Sequence, residues 1–195
     1  MEGRRKPYDL DRLTDVALGV FAKRGYDGAS MDDVARAAGI TKAAIYHHAR
    51  SKEELLARGL RRALEALFAV LAESDASDGR AIERLRFIVR RVATLALYVL
   101  PELTVLVRVR GNSVTERDAL ARRRAFDARI VELVREAQAA GDFDPAFDAA
   151  VITKLIFGTC NSVVEWYRPD GALDPDALAS TVERLVFDGV ARARD

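Results

Sequence analysis

Residues 31–48 read MDDVARAAGITKAAIYHH, and the spacing inside this stretch decides the fold. Two helices that meet at a steep angle through a short turn need three things: a small side chain where the backbones come closest, a turn residue that tolerates positive φ, and apolar anchors on both helices. Ala35 meets the first need and Gly39, four residues on, the second; Val34, Ile40 and Ile45 meet the third. Ser30 stands where it can cap the first of these helices, with Asp33 three residues later as its capping-box partner, and Thr41 can cap the second, which runs to about His48. The pattern predicts a helix-turn-helix. An ordinary hairpin in a helical bundle also uses small residues and a glycine turn.

Helical periodicity continues outward on both sides. A preceding helix over 9–24 places Leu10, Leu13, Ala17, Val20 and Phe21 on one face, and Gly25 stops it. Ser51 and Glu54 form a second capping-box pair and open a fourth helix to about Ala72, with Leu55, Leu56, Leu60, Leu64, Leu67 and Leu71 along it. The polar stretch 74–79 breaks it. Five more helices are expected over 80–100, 101–110, 116–140, 145–168 and 175–194, separated by Gly111, Gly141 and Gly171 among others. No segment alternates as a strand does. The expectation is an all-α chain of about nine helices: a three-helix domain over 1–56 carrying the helix-turn-helix, then a larger helical body over 57–195.

Bulk charge is nearly balanced, 31 Lys and Arg against 30 Asp and Glu, so an affinity for nucleic acid must rest on local arrangement. Such an arrangement exists. Between Val34 and Lys52 lie Arg36, Lys42, Arg50 and Lys52 and no acidic residue. The third helix presents Thr41, Lys42, Ala43, Tyr46 and His47. A local basic face neutralises phosphates even on a nearly neutral protein. Lys52 adds a cation in the first turn of the fourth helix, where backbone N–H groups also attract phosphate. Arg4, Arg5 and Lys6 form a basic arm, or else a solvated tail.

Other chemistries find little support. The single cysteine, Cys160, excludes an internal disulfide framework and fits a reducing cytoplasm. No apolar segment follows the basic N-terminus as in a signal peptide, and no uncharged run approaches the ~18 residues of a membrane span. A soluble cytoplasmic protein is expected. The phosphate loop after a strand, the nucleophile elbow and the cysteine–histidine unit are all missing. The two histidines, His47 and His48, are adjacent and point about a hundred degrees apart on a helix, so they do not clasp a metal as an i, i+4 pair does. No enzymatic activity, metal or cofactor is expected.

Residues 22–56, AKRGYDGASMDDVARAAGITKAAIYHHARSKEELL, resemble the DNA-binding domain of the tetracycline-repressor (TetR) family of one-component regulators. The resemblance implies a DNA-binding transcriptional regulator in which Thr41, Lys42, Ala43, Tyr46 and His47 face the major groove. It implies that Ser30, Tyr46 and Lys52 touch the DNA backbone. One departure is Ala49, where the family usually has phenylalanine; the expectation is looser packing between the recognition helix and the fourth helix.

The body carries further implications. The expected helix 145–168 is apolar on more than one side: Phe147, Val151, Leu155 and Ser162 line one stripe, and Ile152, Ile156, Val163 and Trp166 lie on others. With Leu178, Val182, Leu185, Val186 and Val190 of the last helix it resembles the four-helix interface of the family's homodimers; closing the monomer core is the other use of such helices. The middle helices supply candidate effector contacts at Phe87, Leu95, Tyr98, Phe126, Phe157 and Asn161, with Arg108 for an anionic head, although an apolar stripe of this kind also builds plain core. The segments around VRGNS, RRRAFDARIVELVREAQAAGDFDP and FGTCNSVVEWYRPDG look like the C-terminal domain of acyl-CoA-responsive members. The resulting expectation is a homodimeric repressor, released from a palindromic operator by a small hydrophobic or acyl-CoA-type effector.

Overall fold

The computed structural model describes residues 9–189, so the basic arm at 4–6 and the end of the last expected helix, Val190 included, lie outside the described residues. Among the described residues every regular element is helical: α1 (Leu10–Arg24), α2 (Met31–Ala38), α3 (Lys42–Tyr46), α4 (Lys52–Leu71), α5 (Ser74–Ser77), α6 (Ala81–Tyr98), α7 (Leu100–Arg108), α8 (Val114–Ala139), α9 (Ala149–Trp166) and α10 (Pro175–Phe187). Two compact units divide them. The first takes the described chain through Ala63 together with Pro101–Ala119; the second takes Leu64–Leu100 and the described chain from Leu120.

In the first unit Leu13, Leu18, Phe21, Ile45, Leu55 and Leu56 are fully buried. α1 approaches α4 closely because position 59 has no side chain: a Cβ on Gly59 would stand 2.3 Å from Leu18 Cδ2. Ala49, where a looser joint was expected, is buried. In the second unit Leu64, Leu85, Ile88, Phe126 and Ile130 form the centre, and α6 packs against both α9 and α10.

Helix ends follow the side chains that cap them. The Ser30–Asp33 capping box is complete, with the serine hydroxyl accepting from the Asp33 amide and the aspartate accepting from the Ser30 amide. Gly39 closes α2 at φ 67°, where a side chain would strain the turn. At the second expected box, Ser51 accepts from the Glu54 amide, but the Glu54 carboxylate reaches the amide of Arg50, one residue further back than the simple pattern.

Four differences from the periodicity stand out. α10 ends at Phe187, with Asp188 as its C-cap, where a helix over 175–194 was expected. The polar stretch 74–79 contains a one-turn helix, α5, that buries Ala76; among the described residues this raises the count from about nine to ten. α8 begins at Val114 because Ser113 accepts from the Glu116 amide. α9 begins at Ala149, after Pro145, because Asp148 caps it through the Val151 amide and Asp144 turns the chain just before it through the amide of Ala146.

Candidate nucleic-acid interface

α3 is a short helix held at its centre and open on its outer face. Ile45 is 0% exposed and anchors it, while Thr41, Lys42, Ala43, Tyr46 and His47 are all exposed. Thr41 caps the helix by accepting from the Ala44 amide at 3.1 Å. Five candidate groove residues therefore share one surface, oriented by a cap at one end and a buried isoleucine in the middle.

The charges on this surface are partly engaged. Lys42 Nζ donates to Asp32 Oδ2 of α2 at 2.8 Å, and this hydrogen bond, with the attraction of the same carboxylate, raises the lysine's pKa. Asp32 was not singled out in the sequence; an acidic residue ten positions ahead of the basic one was its only signal. Ser30 is exposed at the start of α2, and its hydroxyl also donates to Asp33 at 2.6 Å. Hydrogen bonds from Ser30, then the charge of Arg24 and a hydrogen bond from Arg36, hold the Asp33 carboxyl down at about 2.

Lys52 has a different setting from the one its position suggested. Its ammonium donates to the carbonyls of Tyr26 and Ala29, both at 2.8 Å, and lies 4.2 Å from the centre of the Tyr26 ring. It closes the α1–α2 loop. The expected phosphate contact rested on the first-turn position of Lys52 and on the family resemblance; the loop carbonyls that receive its ammonium, more than twenty residues away, were not visible in the sequence.

The seven candidate effector residues do not all fall in one unit. Phe126 and Phe157 are buried edge-on at 5.5 Å in the second unit, and Phe68 meets Phe126 in the same manner at 5.8 Å. Phe87, Leu95 and Asn161 are half-buried there, while Tyr98 is 71% exposed. Arg108 belongs to the first unit, where its guanidinium donates to the Ala22 carbonyl at 2.6 Å. A cavity of about 450 Å³ in the second unit, lined in part by Phe68, Arg84, Ile88, Arg129 and Ile130, includes none of the seven. Burial pushes the Cys160 thiol up to about 12, which keeps it protonated and unreactive.

α9 buries Ile156, Phe157, Cys160, Val163 and Val164, yet Val151 is 51% exposed and Leu155 69%. On α10, Leu185 is also exposed. Among the described residues no helix is long and apolar enough to cross a membrane.

A capped helix, a left-handed glycine turn and an open second helix carrying Lys42 define a helix-turn-helix DNA-binding protein. Residues 13–58 match the bacterial regulatory proteins of the tetR family, and residues 78–190 match the tetracyclin repressor-like C-terminal domain. The chain belongs to the TetR family of transcriptional regulators. It is 31% identical over 191 residues to the HTH-type transcriptional repressor KstR2 of Rhodococcus jostii, covering 92% of this chain and 89% of that protein. It is 45% identical to a TetR-family member from Streptomyces coelicolor of known crystal structure, with a TM-score of 0.87 over 98% of this chain and 96% of that one. At 24% identity it shares the fold of AibR, solved in complex with isovaleryl coenzyme A and operator DNA, with a TM-score of 0.78 over 91% of this chain and 97% of that one.

Proposed function

We propose that this protein is a cytoplasmic repressor that binds a palindromic operator as a homodimer and leaves it when a small apolar or acyl-CoA-type effector binds the body. The observation that carries the DNA reading is the α3 surface, five exposed residues on a helix fixed by Thr41 and Ile45. Thr41, Lys42, Ala43, Tyr46 and His47 enter the major groove, with Ser30 at its edge. Lys52 acts as a positioning residue that holds the α1–α2 loop through Tyr26 and Ala29. Two copies of α3 joined through α9 and α10 read half-sites one helical turn, or a multiple, apart. The exposed Val151, Leu155 and Leu185 support that dimer face.

The name of KstR2 supports repression, and the acyl-CoA complex of AibR supports the effector class. The effector's apolar part lies against Phe87, Leu95, Tyr98, Phe126, Phe157 and Asn161. Linkage then sets the mechanism: an effector that favours a state with wrongly spaced recognition helices lowers DNA affinity, and DNA lowers effector affinity by the same factor. The unbroken helix α4, Lys52–Leu71, is the element through which a small pivot changes that spacing. The test is titration of a panel of acyl-CoA esters into a preformed complex with the protein's own promoter fragment. Release by an ester is expected. Release only by a cationic or neutral hydrophobic compound overturns the effector class, and failure to shift the promoter fragment overturns the DNA reading.

A further inference from the structure

A single buried carboxylate turns the loop between α7 and α8 back on itself. Glu116 is 3% exposed and accepts from the amides of Arg110, Gly111 and Asn112 at 3.1, 2.8 and 3.1 Å. The loop between α1 and α2 is pinned as well, by Lys52 on the carbonyls of Tyr26 and Ala29. Arg108 joins the Ala22 carbonyl, and the Asn112 side-chain amide meets Asp27 at 3.2 Å. Within the first unit these two loops frame a cavity of about 540 Å³. That volume lies within the several hundred Å³ usual for small-molecule sites, and its framing loops are held by the chain's own hydrogen bonds.

The floor is apolar: Phe21, Leu56 and Val105 are buried, and Tyr26 stands edge-on to Phe21 at 5.3 Å. Charge at the rim does not cancel. The Glu116 carboxylate is used on three amides, Asp27 accepts from Asn112, and Arg24 is paired with Asp33. Arg110 gives its backbone amide to Glu116, but its exposed guanidinium meets no carboxylate among the described residues. A guanidinium fork matches a carboxylate with two parallel hydrogen bonds, and two aromatic side chains in the lining suit a flat ring. Burial, then the charges of Glu53, Glu116 and Asp27, push the Tyr26 phenol up to about 12, so its hydroxyl stays a donor. A cation of the same size would face Arg110 and Arg108 together.

We propose that this cavity is a binding site for a small aromatic carboxylate, its ring against Phe21 and Tyr26 and its carboxylate on the Arg110 guanidinium. The site lies in the DNA-binding unit and does not depend on the effector reading for the body. The probe is 1-naphthoate, with 1-naphthylmethylammonium as its charge-reversed partner, titrated calorimetrically into the full chain. Naphthoate should bind at one site, about tenfold more weakly in Arg110→Gln, where one charge-assisted pair is lost. Binding should vanish in Val107→Trp, which fills the cavity, and the ammonium should not bind. Arg110→Lys keeps the charge without the fork and should recover part of the affinity. Circular dichroism establishes that each variant folds. No saturable binding of naphthoate, or equal binding of the ammonium, overturns the proposal. So does naphthoate binding that persists unchanged in both Arg110→Gln and Val107→Trp, which places it at another site.

Discussion

The two helix pairs that carry the proposed contacts are built in opposite ways. In α2 and α3 the large apolar residues Met31, Val34 and Ile45 turn inward, and what faces outward is polar or charged, the small side chains of Ala37 and Ala43 or, at Tyr46, aromatic with a hydroxyl. In α9 and α10 one apolar face is buried and a second, with Val151, Leu155 and Leu185, is left open. Exposed aliphatics at successive turns of one helix have no use toward water and gain by covering. The first pair is complete within one chain and suits a hydrated polyanion; the second suits another copy of the same helices. Bulk composition averages the two and shows neither.

The largest expected effect separates them directly. Leu155→Arg places a charge in the proposed dimer face and should raise the dimer dissociation constant by about a hundredfold or more. Sedimentation at micromolar concentration should show monomers, and operator affinity should fall with dimerisation; an unaltered dimer would place the interface elsewhere. The melting transition of the monomer should change little, since Leu155 is 69% exposed. Ile45→Ala is the converse case. It removes a fully buried anchor and should cost roughly 2–5 kcal/mol in chemical denaturation. If that variant keeps wild-type stability, α3 is not held as described.

Charge on the proposed DNA face comes next. Lys42→Ala should lower the slope of log affinity against log salt by about one unit, whereas Lys52→Ala should leave the slope unchanged and lower the melting temperature. A slope change in Lys52→Ala returns that residue to the phosphates. Asp32→Asn frees Lys42 from an exposed ion pair, which is worth at most about 1 kcal/mol, so operator affinity should rise no more than about fivefold. Lower affinity would mean that the pair orients Lys42 productively.

The smallest effect is in pH. Asp33 titrates at about 2 when folded, below the ordinary carboxylate value of about 4, so its contribution is present above pH 4 and is lost as pH falls toward 2. Thermal melts between those limits should show a steeper acid loss in the wild type than in Asp33→Asn. Equal slopes would remove the capping box from the stability of α2.

What was legible in the sequence was short in range. The Ser30–Asp33 box, the Gly39 turn and the Thr41 cap involve residues within a few positions of each other, where backbone geometry alone dictates the partner. The same rule, applied to periodicity, placed every long helix and buried Ile45. The discrepancies among helix ends had local causes too: Ser113 and Asp148 moved the starts of α8 and α9, and the short α5 fell below the length that periodicity detects. Tertiary structure decided the pairings of long side chains. Lys42 with Asp32, Lys52 with Tyr26 and Ala29, and Arg108 with Ala22 join residues 10 to 86 positions apart. A lysine or arginine reaches in several directions from one backbone position, and packing brings an acceptor into only one of them. For the same reason the sequence showed that the α9 region is apolar on more than one side, while only the packed helix shows that Ile156, Phe157 and Cys160 go inward and Leu155 does not.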